Sequence, residues 1–208
     1  MEGKRLLVWS LKGGQGKTTL STQISLLTGS YIMTNDIISP VDRVLEAKKV
    51  LKLTSSQKMP ELPSNINLIY DFGGYPDQRL IWIFKHIDYC IIPIAIESND
   101  DIFEKQGLLD SVNEVSKYTK NIIVVINKAE NRVKETVVSI RNLLIKHFPN
   151  EDKNHSFFPI FEVKRSNAFS QSIRKKMSIR ELCSNPLLKY HFKEPLNQMN
   201  ELINFISK

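Results

Sequence analysis

The sequence predicts an α/β protein, a doubly wound, mainly parallel sheet flanked by helices. Three observations carry that expectation. Short runs of Ile, Val and Leu alternate with longer segments of helical spacing along the 208 residues. Most of those runs are nearly continuous in apolar residues, as in strands covered on both faces. The first run, Leu6 to Trp9, leads into a glycine-rich turn that opens a helix, a strand–turn–helix unit of parallel sheets.

Strands are expected at 4–10, 30–35, 66–71, 88–95, 121–127 and 157–163. Helices are expected near 17–28, 40–53, 76–87, 101–118, 131–147, 166–183 and 193–207. Residues 54–65, with prolines and serines, read as a loop, as does the polar stretch Pro149 to Ser156. Neither is long enough to separate domains, so one domain over 1–208 is expected. Sheets of this kind bind ligands beyond the carboxyl ends of their strands.

Composition bounds the reading. Hydrophobic residues make up 41% and charged residues 25%, ordinary for a globular protein. The net charge of +7 favours an acidic partner such as nucleic acid or anionic lipid. Cys90 and Cys183 lack metal-ligand spacing and read as reduced residues. The longest strongly apolar run, Tyr89 to Ile96, has strand length and contains Pro93, too short for a membrane span. Lys12 and the glycines interrupt the first apolar run too soon for a signal peptide, so a cytoplasmic location is expected.

The turn reads Lys12-Gly13-Gly14-Gln15-Gly16-Lys17-Thr18-Thr19. Glycines let backbone N–H groups approach anionic oxygens, and the following helix adds its own unpaired N–H donors. Lys17 is placed to reach the β- and γ-phosphates of a nucleotide, and the Thr18 hydroxyl to ligate Mg²⁺. Leu11 stands where the usual P-loop has its first glycine, and an extra lysine, Lys12, precedes the glycines.

This pattern resembles the deviant Walker A motif of the ParA/MinD family of P-loop ATPases. In that family the early lysine, matched here by Lys12, reaches the nucleotide of a partner subunit. The resemblance implies ATP and Mg²⁺ as ligands and an ATP-dependent homodimer. It runs in order along nearly the whole chain. The closest likeness in size is the short plasmid-partition branch, without an N-terminal helix-turn-helix domain, for which the P-loop at residue 12 leaves no room.

Thr34-Asn35-Asp36 follows the second predicted strand. An acid there can orient an attacking water or contact Mg²⁺ through water; it can equally cap a turn. Small ParA proteins carry D-x-D-P at this point, and Asp36 matches the second Asp, which polarises the hydrolytic water. Thr34 and Ile37 replace the first Asp and the Pro. Leu68 to Asp71 is an apolar run ending in Asp, the Walker B arrangement, with Asp71 holding Mg²⁺ through water. Gly73 and Gly74 then read as a switch that senses the γ-phosphate. Asn127, at the end of the fifth predicted strand, offers a donor and an acceptor to an adenine edge; the bland alternative is an Asn that turns the chain. Relatives often carry Asn here with Arg a few residues later, as Arg132 does. Pro93 matches a family proline read as structural. Pro159 matches, weakly, the loop that flanks the base.

Lys164, Arg165, Arg174, Lys175, Lys176 and Arg180 cluster after the last predicted strand. They read either as a solvated face or as a phosphate-contacting patch that does not read bases. Short ParA dimers bind DNA of any sequence through basic C-terminal residues, which the second reading resembles. Lys48, Lys49 and Lys52 form a weaker candidate. The final segment, Leu196, Met199, Leu202, Ile203 and Ile206, has one apolar face. MinD proteins bind membrane through such a terminal helix, but Asn and Gln dominate the polar face here, which favours docking on the protein's own core.

The function expected is therefore a partition ATPase. It dimerises on ATP, binds non-specific DNA on the nucleoid, and hydrolyses ATP slowly until a centromere-binding ParB-type or ribbon-helix-helix adaptor stimulates it. The alternatives are a MinD-like membrane-positioning ATPase, a ParA-like factor for conjugation or other cargo, and a nucleotide-sensing module with little turnover. A metabolic P-loop kinase leaves Lys12 without a role. A cluster-bridging reductase finds no suitable cysteine.

Overall fold

The computed structural model describes residues 3–73, 77–96, 101–129, 133–149 and 158–208. Seven parallel strands form one sheet: β1 (Arg5–Val8), β2 (Tyr31–Thr34), β3 (Val50–Lys52), β4 (Leu68–Asp71), β5 (Tyr89–Ala95), β6 (Ile122–Ala129) and β7 (Ile160–Lys164). Their spatial order is β3-β2-β4-β1-β5-β6-β7. Strands are thus laid to one side of β1 and later to the other, which opens a crevice beyond its carboxyl end. The helices are α1 (Lys17–Thr28), α2 (Val41–Val44), α3 (Arg79–Lys85), α4 (Ile102–Ser116), α5 (Val133–His147), α6 (Asn167–Lys175), α7 (Ile179–Cys183) and α8 (Lys189–Ile206).

Strand periodicity of two divides each strand between the faces. Leu7, Met33, Tyr70, Ile92 and Val124 face α3, α4 and α5, with Ile83, Val112 and Ile140 packed on them. Leu6, Val8, Ile32, Ile69, Ile91 and Val125 face α1 and α8, with Ile24, Met199, Leu202 and Ile206 packed on them. A third cluster of Ala168, Ile179, Leu182 and Phe192 ties α6 and α7 to α8. The period also decides where polar residues go. Asp71 lies two residues beyond Ile69 and Asn127 two beyond Val125, which puts both side chains on the α1 face.

Pro93 sits in the middle of the sheet without breaking it. Cys90 N–H donates to Asn121 on the β6 side, whereas the Ile91 carbonyl accepts from Trp9 N–H on the β1 side. Pro93 therefore turns its missing donor toward β1, whose last ladder partner is Val8 opposite Ile91, so no ladder bond is lost.

The structure corrects the sequence reading in three places. The expected helix over 40–53 is a single turn, a 3-10 turn at Ala47–Lys49 and the edge strand β3. Leu45 leaves helical geometry at ψ 162, and β3 pairs with β2. The expected helix over 166–183 is two helices, broken where Lys176 adopts φ 56 and restarted by a capping box between Ser178 and Glu181. The last helix begins at Lys189 rather than 193 and carries Pro195 inside it.

The apolar face of α8 is docked on the core, since Met199, Leu202 and Ile206 are fully buried. Among the described residues no helix is long and apolar enough to cross a membrane. Leu202→Ala should lower unfolding stability by about 2–4 kcal/mol, read by denaturant titration. A cost under about 0.5 kcal/mol would mean that α8 is not part of the core.

Candidate functional site

The site forms where β1 stops and its neighbours continue. The ladder between β1 and β5 ends at Ile91, but β5 runs on to Ala95. The Ala95 N–H points into the gap left by β1, and Gln15 Oε1 accepts it at 2.6 Å. Gln15 is buried, and its Nε2 donates to the Gly13 carbonyl at 3.1 Å and to Glu104 Oε2 at 2.7 Å. One side chain thus moulds the loop from residue 12 to 16. Asn127 holds the loop from below, donating from Nδ2 to the Gln15 carbonyl at 2.8 Å. The amide of Asn127 thus supports the loop backbone.

Gly16 has no substitute here. Its φ is +80, and a Cβ would lie 2.2 Å from Asn127 Nδ2. It caps α1 in left-handed geometry and sends Lys17, Thr18 and Thr19 into the first helical turn. Gly13 and Gly14 are exposed, with open space where a Cβ would point. Lys17 Nζ donates back to the Lys12 carbonyl at 2.9 Å and to Ser10 Oγ at 3.3 Å. Burial lowers its pKa, and the Asp71 charge works against that shift.

Asp71 lies under the turn and is almost fully buried. Ser21 Oγ of α1 donates to its Oδ1 at 3.3 Å. Its Oδ2 is buried with no hydrogen-bond partner among the described residues. Burial pushes the carboxyl up to about 6; Thr18, Ser21 and Lys17 pull it down, and Asp36 adds to the rise. A buried carboxylate oxygen left without a partner, beside a lysine and a threonine hydroxyl, fits a Mg²⁺ carried by phosphates. Among the described residues there is no group of three or more His, Cys, Asp or Glu able to hold a metal ion. A phosphate-borne ion needs none.

Lys17, Thr18, Asn35, Asp36, Ile37, Ile38, Asp71 and Gly73 line one cleft of about 430 Å³. Asp36 is at its exposed mouth. Its Oδ1 accepts from Ile38 N–H at 3.1 Å, so it also caps its own turn. Gly73 lies within the described residues; Gly74 and Arg132 lie outside them.

Two partners escaped the sequence reading. Lys12 Nζ is ion-paired to Glu104, at the start of α4, and its stem lies over Gly107. Asn35 joins Gly73 to Asp77. Both join residues far apart in sequence, and no local pattern marks either.

Pro159 does not reach the site. It precedes β7, where its carbonyl accepts from Val124 N–H at 2.9 Å. That places it at the amino edge of the sheet, roughly 16 Å of strand from the carboxyl edge. The loop that leaves β7 toward the site begins at Arg165 instead. The basic cluster lies beyond it. Arg174, Lys175 and Lys176 are exposed together at the end of α6, with Arg180 exposed on α7. Lys164 is 3.3 Å from Glu194, and Arg180 reaches Asn200 at 3.3 Å.

This arrangement is shared with solved structures. Apo McdA from Cyanothece aligns over 93% of this chain and 99% of its own, at 16% identity and a TM-score of 0.59. A Borrelia burgdorferi plasmid partition protein bound to AMPPNP covers 97% and 98%, at 15% and 0.60. MinD from Aquifex aeolicus covers 97% of both chains, at 14% and 0.59. No protein-family model and no curated protein matches the sequence. The likeness is one of fold, which this chain shares with these ParA/MinD-type structures.

Two outcomes follow. With nucleotide absent, the raised Asp71 pKa makes the folded state bind a proton that the unfolded state releases near 3.8. The Asp71 contribution to stability should therefore be full below pH 4, fall as pH rises to about 6, and stay level above, by on the order of 2–3 kcal/mol. Denaturant melts of the wild type and Asp71→Asn should show this slope only in the wild type. Gly16→Ala should cost more than about 2 kcal/mol and abolish nucleotide binding, read by thermal melts and calorimetry.

Proposed function

We propose that this chain is a single-domain ATPase of the ParA type. It binds ATP with Mg²⁺, dimerises on it, binds DNA of any sequence, and releases it on hydrolysis prompted by a partner protein. The cleft carries this reading, because Lys17, Thr18 and the unpartnered Asp71 oxygen converge on one space beside the glycine turn. The neighbours' own ligands and roles support it: one is bound to AMPPNP, and their names include a plasmid partition protein and a cell division protein.

Gly13, Gly14, Gln15 and Gly16 hold the phosphates by backbone N–H, with Lys17 on the β- and γ-phosphates and Thr19 in the same helical turn. Thr18 and Asp71 hold Mg²⁺, Asp71 through water. When bound, that ion neutralises charge on the phosphate oxygens. Asp36 orients the water whose oxygen bonds to the γ-phosphorus as the bond to ADP breaks. Its Oδ1 accepts from Ile38 N–H, which leaves Oδ2 for that water, and turnover stays slow until a partner acts. Lys12 serves the partner subunit's nucleotide once it leaves Glu104.

Arg174, Lys175, Lys176 and Arg180, with Lys164 and Arg165, supply the DNA contacts. The partner is a centromere-binding adaptor of the ParB or ribbon-helix-helix type. Membrane attachment through the C-terminal helix is disfavoured because its apolar face is spent on the core.

Binding to long arbitrary duplex DNA, across a salt series, tests the reading. Binding is expected with ATP·Mg²⁺ and not with ADP·Mg²⁺, and should be lost in Lys12→Ala. Replacing Arg174, Lys175 and Lys176 together by Ala should reduce the log–log salt slope by about two to three. Absence of binding in every nucleotide state, with binding to anionic vesicles instead, would favour the membrane-positioning alternative.

A further inference from the structure

Gly73 and Asn35 both line the candidate cleft, and the Gly73 N–H donates to Asn35 Oδ1 at 2.9 Å. The other end of the same amide donates from Nδ2 to Asp77 Oδ2 at 3.1 Å. Asp77 is gripped by the Arg79 fork, Nε to Oδ1 at 2.8 Å and Nη2 to Oδ2 at 2.7 Å. This ion pair is only about a tenth exposed on either side. Arg79 Nη1 goes on to the carbonyls of Thr54 at 2.8 Å and Gln57 at 3.0 Å. Its guanidinium lies 5.5 Å from the ring centre of Phe72, the neighbour of Gly73. An unbroken series of bonds thus joins the cleft to the loop after β3.

We propose that Asn35 is a specificity-determining residue for the terminal phosphate, holding the Gly73 N–H when that phosphate is absent and yielding it when it arrives. Asp77 and Arg79 carry the exchange to residues 54–57. The inference rests on the nucleotide reading of the cleft. Its physical basis is competition. One N–H serves one strong acceptor, and a phosphate oxygen is about twice as strong an acceptor as a neutral amide. ADP has no group to compete, so it leaves the Asn35 bond intact. ATP displaces Asn35, whose amide is also tied to Asp77. A largely buried Arg–Asp pair does not tolerate a lost partner without rearrangement. The readable consequence falls at the Thr54 and Gln57 carbonyls, where Arg79 ends.

The test compares the wild type, Asn35→Ala and Arg79→Lys. Calorimetry with Mg²⁺ gives the affinities for AMPPNP and for ADP. Amide exchange over residues 51–58 of the wild type is followed with each nucleotide. Removing the competitor should raise the preference for AMPPNP over ADP about fivefold in Asn35→Ala, the worth of one neutral hydrogen bond. Arg79→Lys should shift it the same way by less. Exchange over 51–58 should differ between the AMPPNP and ADP complexes.

A merely structural Asn35 would weaken both nucleotides alike, and a ratio within twofold of wild type overturns the inference while leaving the nucleotide reading intact. A fall in the ratio, or identical exchange in the two complexes, also overturns it. If the wild type binds neither nucleotide, the reading of the cleft fails and the inference with it. Should Asn35→Ala not fold, Arg79→Lys and the wild-type exchange decide the matter.

Discussion

The constraint on which the rest depends is the early end of β1. A parallel sheet leaves backbone donors unpaired wherever a central strand stops short of its neighbour. Here Ala95 N–H is such a donor, and Gln15 reaches up from the loop to satisfy it. That bond, with Asn127 against the Gln15 carbonyl, shapes the turn before any ligand arrives. The anion cradle follows from the same gap. The loop must cross the sheet edge to reach α1, and it does so with Gly16 pressed on Asn127.

The cleft is held ready at a cost in electrostatics. Asp71 is buried with one oxygen unpaired, and its pKa rises accordingly. Lys17 is half-buried and folds back onto the loop's own carbonyl rather than pairing directly with Asp71. Both groups are therefore under-satisfied in the protein alone. A cation and phosphates would relieve both at once, the usual relation between a destabilised site and its ligand. Lys12 behaves differently. It is ion-paired to Glu104, so any service to a second subunit competes with a bond within the chain.

The other end of the molecule separates two uses of a C-terminal helix. α8 gives its apolar face to β1, β5, β6 and β7, and α6 and α7 ride on it. Outward lie the basic residues at the left-handed turn that ends α6, together with the exposed side chains of Leu187 and Tyr190 around the start of α8.

Much of this was written in local sequence. The Ile- and Val-rich runs, the glycine turn, and Asp71 at the end of its run announce a parallel sheet with a phosphate cradle, because periodicity and glycine placement act over a few residues. Helix α1 matches its expected bounds for the same reason. Where local signals conflict with pairing, pairing won. Val41, Val44 and Leu45 suggest a helix through 53, yet β2 had an unpaired edge, and Val50–Lys52 took it. Pro159 shows the same limit: strand direction puts a residue that precedes β7 at the amino edge of the sheet, away from the cleft. Contacts across the fold left no local trace. Glu104 on Lys12, Asn127 on Gln15 and Asn35 between Gly73 and Asp77 join residues 38 to 112 positions apart. The sequence by itself determined the architecture and the residue types gathered at the glycine turn, through patterns at short spacing. Only the tertiary structure decided which side chains hold the cradle and which distant partners restrain it, because those bonds exist only once the sheet brings its strand ends together.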